Sequence, residues 1–123
     1  MTFGPRNDKN WKKDIPKKMK KKALLMVLSE KAKHNHVVVL DALSAEKPKT
    51  KTMAEMMKKL PVQKSSRLVL YAGKNNAVYL SARNIKNTGV LEARNVSLLD
   101  LLNYKYVVLS KDAIKEVEKT FLK

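Results

Sequence analysis

Cysteine is absent from the 123 residues. That removes disulfide frameworks, thiolate nucleophiles and cysteine-based zinc sites, and it suits a reducing compartment. Glycine is almost as scarce, with only Gly4, Gly73 and Gly89. Neither G-x-G-x-x-G nor a Walker loop can be built from three glycines so placed, which speaks against dinucleotide and nucleoside triphosphate cradles. Long apolar runs are missing as well: the longest, residues 23–28, falls far short of the roughly 20 residues of a membrane span. At the N-terminus Phe3-Gly4-Pro5 is followed by charges rather than by the apolar stretch and cleavage site of a secretory signal, so a non-secreted protein is expected. Acid is the last scarcity. Eleven Asp and Glu face 27 Lys and Arg, a net charge of +16.

What is present suffices for a core. Hydrophobic residues make up 44% of the chain and charged residues 31%, which separates it from disordered sequences, and the length suits one domain. A compact body carrying +16 repels itself unless a polyanion neutralises it, and nucleic acid is the leading candidate. The charge is also segregated. Residues 1–33 hold Arg6 and ten lysines against Asp8, Asp14 and Glu30. Residues 1–15 show neither helical nor strand periodicity and read as an extended basic arm, leaving 16–123 as a single α/β domain.

Pro16 opens a helix in which Met19, Ala23, Met26, Val27 and Leu28 recur at three-to-four spacing, with Lys17, Lys18, Lys21 and Lys22 on the other face. Lys20 falls on the apolar side, so either its stem snorkels or the first turn projects beyond the core. Farther on, apolar β-branched runs predict strands over 37–40, 67–71, 90–93 and 106–109. Helical patterns occupy 49–60, 76–83, 98–103 and 111–122. Ser97-Leu98-Leu99-Asp100 fits a capping box, and Ser110 is placed to cap the last helix. Strands unbroken in their apolarity suit burial on both faces. The expected fold is therefore α/β: a three-layer sandwich in which a mostly parallel four-stranded sheet is flanked by helices, plus the basic arm. Asp41, Gly73, Arg94 and Ser110 should gather at the carboxyl edge of the sheet.

Catalytic constellations are weak. His34 and His36 flank Asn35 with no cysteine and only distant carboxylates, which reads as surface histidines rather than as the three or four ligands zinc requires. Ser44, His36 and Asp41 are close only in sequence and match no nucleophile elbow, and Asp41 reads as a solvated carboxylate starting a turn. No metal, cofactor or catalytic residue is expected. The arm and first helix differ in kind, because a solvated lysine face ordinarily balances its charge with interspersed glutamates. Lysine neutralises phosphate as a point charge without reading bases, so this stretch predicts affinity and salt dependence more than sequence specificity. Trp11 is placed either to stack on a base or to fold back onto the domain. Arg67 is a candidate for a structural role.

Phe3-Gly4-Pro5, Pro16-Lys17-Lys18-Met19, Pro48-Lys49-Thr50-Lys51, Leu80-Ser81-Ala82-Arg83-Asn84 and Asn95-Val96 followed by Leu98-Leu99-Asp100-Leu101-Leu102 occur in an order that closely resembles bacterial-type large-subunit ribosomal protein four. The resemblance covers essentially the whole chain and implies a globular α/β domain that packs against large-subunit rRNA and supports subunit assembly in translation. Its Phe-Gly-Pro segment follows the tunnel loop of that family, so the chain resembles the part after the loop, and tunnel-lining roles find no positions here. A split gene, an organellar form, a reannotated start and a truncated chain all fit this pattern.

The expectation is a non-catalytic ribonucleoprotein component of the cytoplasmic or an organellar ribosome. It would bind large-subunit rRNA through Arg6, Lys9, Trp11, Lys12, Lys13, Lys17, Lys18, Lys21 and Lys22, with Lys49, Lys51, Arg83, Lys86 and Arg94 as secondary contacts. Neighbouring large-subunit proteins are expected partners, together with a separate chain supplying the N-terminal half and tunnel loop, and no membrane. The rival readings are a regulatory binder of messenger RNA and a small nucleotide- or metal-dependent enzyme.

Overall fold

The computed structural model describes residues 2–62 and 64–122. Met1 and Lys123, the outer bounds of the expected arm and domain, lie outside the described residues, as does Gln63. Four strands, β1 (Val37–Leu40), β2 (Arg67–Tyr71), β3 (Thr88–Glu92) and β4 (Tyr106–Ser110), form one sheet in the order β1-β4-β2-β3. Every neighbouring pair is parallel, where a mostly parallel sheet was expected. The helices are α1 (Lys17–Lys33), α2 (Thr50–Lys59), α3 (Asn76–Ala82), α4 (Leu98–Asn103) and α5 (Lys111–Phe121), with a 3-10 turn at Ala93–Asn95.

Side chains alternate across each strand, so the sheet builds two cores. Leu68, Leu70, Val107 and Leu109 point to one face, where Leu24 of α1, Leu101 of α4, and Ala113 and Val117 of α5 cover them. Val69, Tyr71, Val90 and Val108 point to the other, under Met53 and Met57 of α2 and Val78 and Ala82 of α3. The topology explains this division. The first two crossovers step across the sheet in one direction and the third steps back, so connections of one hand place α2 and α3 on one face and α4 on the other.

Local signals set the helix ends. Ser97 and Asp100 form the reciprocal capping box, Ser110 accepts from the Ala113 amide, and the Asn75 side chain accepts from Val78 N. At the C-terminus of α1, Asn35 takes φ 58°, the His36 amide donates to the Lys31 carbonyl at 2.8 Å, and the Asn35 amide donates to Ala32 at 3.1 Å. This is a Schellman closure with asparagine in the left-handed position, and it turns the chain directly into β1.

Three expectations shift. Pro16 is the cap rather than the first helical residue of α1. The packed face of α1 matches the expected one only in part: Val27 and Leu28 pack against the core as expected, but Leu24 is the buried residue, and Met19 and Met26 are 61% and 62% exposed. Lys20 is exposed and Lys21 half-buried, the reverse of the expected placement, because the buried stripe runs through 21, 24, 28 and 31. The exposed first turn shows that it projects beyond the core. The third strand is the other shift. It begins at Thr88, through Gly89, and ends before Ala93, which joins the 3-10 turn. Glycine is tolerated there because the Tyr104 ring lies across it: a Cβ on Gly89 would sit 2.5 Å from Cζ and Oη of that ring.

β1 is an edge strand with no second neighbour among the described residues. The Val107 amide donates to the His36 carbonyl, so 36, 38 and 40 face β4 while the backbone groups of Val37 and Val39 face outward. Val39 is 48% exposed.

Two stability measurements test this packing. Gly89→Ala should lose about 1–2 kcal/mol in urea unfolding, and combining it with Tyr104→Leu should cost less than the sum of the single changes. Lys31 Nζ donates to the Tyr104 and Lys105 carbonyls at 2.6 and 3.0 Å, closing the end of α4. Lys31→Ala should therefore cost about 1–2 kcal/mol, while the exposed Lys33→Ala should stay within about 0.5 kcal/mol.

Candidate nucleic-acid interface

Residues 2–16 contain no helix or strand and are exposed throughout. Arg6, Lys9, Lys12 and Lys13 all present their charges to solvent there. Trp11 is 77% exposed, so it is not folded back onto a core, and Lys9 Nζ lies 4.2 Å from its ring centroid. An indole held open under a cation offers one face for stacking. The arm leads straight into Lys17, Lys18 and Lys22 on the exposed first turns of α1, with Lys21 set partly inward. Through residue 22 this continuous stretch carries nine cations against Asp8 and Asp14.

The secondary candidates are divided between two opposite edges of the sheet. Lys49 is the uncapped N-terminal position of α2 and Lys51 lies in its first turn, both exposed at the carboxyl edge. Arg94 is at that edge too, but its Nε donates to Glu92 at 2.7 Å, which reduces the charge it offers. Arg83 and Lys86 are exposed at the amino edge, where α3 returns to β3, and the Arg83 guanidinium sits 5.7 Å from the Tyr79 ring centroid. Arg67 is occupied structurally, its Nε donating to Thr88 Oγ1 at 2.9 Å.

The residues weighed for catalysis have local explanations. His34 and His36 are separated by the left-handed Asn35, with ring centroids 6.2 Å apart. A carboxylate is nearer than expected, since Glu30, one helical turn earlier, is 2.9 Å from His34 Nε2. His36 instead meets Tyr106 edge-on at 5.2 Å. Asp41 does lie at the carboxyl edge, paired with Lys111 at 2.5 Å, and the Gly73 amide near it donates to Glu116. A cavity of about 340 Å³ beside the start of α2 is lined by Ser44, Glu46, Lys47, Lys49 and Thr52 among others. It contains one carboxylate and no histidine, which is not the paired arrangement of general acid–base chemistry. No helix among the described residues is long and apolar enough to cross a membrane.

The sequence that builds this exposed basic stretch and parallel sheet is similar to that of known proteins. A family profile described as Ribosomal protein L4/L1 family matches residues 1–120. Large ribosomal subunit protein uL4 of Clostridium beijerinckii is 38% identical over 121 residues, covering 98% of this chain and 57% of that protein. The protein of the same name from Halothermothrix orenii is 39% identical over 119 residues, covering 97% and 56%. That from Heliobacterium modesticaldum is 37% identical over 119 residues. The chain thus spans a little over half the length of these curated relatives. With nearly all of its residues inside the family match, the chain belongs to the Ribosomal protein L4/L1 family.

Proposed function

We propose that this chain is a non-catalytic structural constituent of the large ribosomal subunit in the cytoplasm, binding large-subunit rRNA and supporting assembly. Its division into an arm, 1–15, and an rRNA-binding domain, 16–123, is part of this reading. The observation that carries it is the basic stretch from the arm into α1, with nine cations and two acids, exposed throughout except at the half-buried Lys21. Arg6, Lys9, Lys12, Lys13, Lys17, Lys18, Lys21 and Lys22 displace condensed counterions from phosphates, and Trp11 stacks on an unpaired base. Lys49, Lys51, Arg83, Lys86 and Arg94 add peripheral contacts. The arm orders fully when it enters an rRNA crevice, with the folded domain fixing one of its ends.

Neighbouring large-subunit proteins complete the set of partners, one of them pairing with the open edge of β1. The outward backbone of β1 and the half-exposed Val39 support that last partner.

Binding to large-subunit rRNA is expected to weaken with salt at a slope equivalent to roughly six or more phosphates, and the tagged protein should co-sediment with the large subunit. Replacing Lys12, Lys13, Lys17 and Lys18 by Gln should reduce that slope by about 0.7–0.9 for each phosphate left without its lysine. A messenger leader that outcompetes rRNA would favour a regulatory role. A protein that stays at the top of the gradient with no salt-dependent RNA affinity would defeat the proposal.

A further inference from the structure

Because the strands all run one way and helices return between them, the carboxyl ends of α1, α2, α3 and α4 all arrive at the amino edge of the sheet. The charges are sorted with them. Residues 30–36, 58–62, 64–67, 83–87 and 103–106, which form that edge, hold nine lysines and arginines against a single carboxylate, Glu30. Glu30 is itself engaged by His34. At the carboxyl edge, residues 41–49, 72–75, 92–97 and 110–112 hold five cations against four acids. There Arg94 pairs with Glu92 and Lys111 with Asp41. The carboxyl edge is close to neutral, and the amino edge is not.

We infer that the amino edge is a second RNA-backbone contact surface, formed by Lys33, Lys59, Lys64, Arg83, Lys86 and Lys105, and that the domain bridges two RNA segments. The inference rests on the RNA-binding reading above and extends it to a different face. All six side chains are exposed. Helix dipoles account for part of this charge, since Lys33 and Lys59 lie in last turns, where a cation is favoured. They do not account for Lys64, Lys86 and Lys105, which lie in turns or connections beyond the helix ends.

The surface is fixed rather than fluid. The Lys105 amide donates to Ser66 Oγ at 3.0 Å, Tyr106 N to the Ser66 carbonyl at 3.1 Å, Arg67 N to the Asn87 carbonyl at 3.0 Å, and Val107 N to the His36 carbonyl at 2.9 Å. These bonds tie the four strand-entry loops into one row about 14 Å wide, given strand spacings of about 4.8 Å. The crowding of positive charge registers on His36, whose imidazole is held below its ordinary pKa by partial burial and then by Lys105, Lys31 and His34. Six like charges on a rigid row, whose single carboxylate, Glu30, is engaged by His34, suit a polyphosphate backbone recognised by shape, not by base edges. The starting turn of α1 lies at the far end of the same helix, so its lysines are separated from Lys33 by about 24 Å, at about 1.5 Å per residue. One RNA contact at each end makes the domain a spacer of defined length.

The test uses the intact chain with a short RNA hairpin as the probe. The edge variant carries Lys33, Lys64, Lys86 and Lys105 replaced by Gln, and the arm variant carries Lys12, Lys13, Lys17 and Lys18 replaced by Gln. Circular dichroism melts confirm that both are folded. Native mass spectrometry should find two hairpins on the unmodified protein and one on each variant, and the salt slope of the edge variant should fall by about 3. An edge variant that keeps the unmodified stoichiometry and slope, while the arm variant loses both, overturns the second surface and leaves the arm reading standing. If neither variant changes RNA binding, both readings fail. If the edge variant loses binding to phosphatidylserine vesicles but keeps its RNA binding intact, the surface belongs to a membrane and the inference is wrong.

Discussion

The parallel pairing of β2 with β4 is the constraint on which the rest of the domain depends. Leu68, Val69, Leu70, Val107 and Val108 have no exposed surface, and they alternate between the two faces. Each fully buried side chain contributes roughly 1.5–3 kcal/mol, so this central pair supplies a driving force comparable to the whole net stability of a small domain. That force is realised only if both faces are covered. Covering both faces of a parallel sheet requires helical crossovers on each side, and every crossover runs against the strands. Burial thereby decides where each helix ends, and the helix ends decide where the charges collect.

The element order was legible because its signals are local. Ser97 with Asp100, Ser110, and the β-branched runs at 37–40, 67–71 and 106–109 each state their conformation within a few residues. α1 was legible as a helix but not as to which face it buries. Residues 23–28 are apolar on all sides, so spacing picks out Val27 and Leu28 but does not decide whether Leu24 or the Met19 and Met26 pair joins them against the core. Contact with the sheet makes that choice, and it is not a local property. β3 was displaced for a similar reason. Gly89 reads as a breaker until the Tyr104 ring, fifteen positions later, is known to lie over it.

The basic interface divides in the same way. The arm's charge is contiguous in sequence and could be read directly, and the structure leaves those side chains exposed, apart from the half-buried Lys21. Lys33, Lys64, Lys86 and Lys105 are scattered across four connections, each unremarkable by itself. They become neighbours only when the sheet aligns the loops that carry them. Lys86 alone among them was expected as a contact, and attention to the carboxyl edge, where α/β domains usually place ligands, pointed away from Lys33, Lys64 and Lys105. Arg94 illustrates the converse, a cation conspicuous in sequence whose charge is largely engaged by Glu92 two residues earlier.

The outward backbone of β1 bears on how separate copies of the chain meet one another. An open strand whose Val37 and Val39 backbone groups face outward is a template for another strand, and a second copy of the same chain carries the same edge. Two copies approaching edge to edge would each bring a charge of +16 to the encounter, and Lys33 and Lys105 lie beside the start of that strand. Mutual repulsion thus guards the edge, and under the proposed function that repulsion falls as RNA neutralises the lysines. The charge proposed to attract nucleic acid then acts first as a solubilising device for an open strand, and the protection lapses only where a polyanion is at hand.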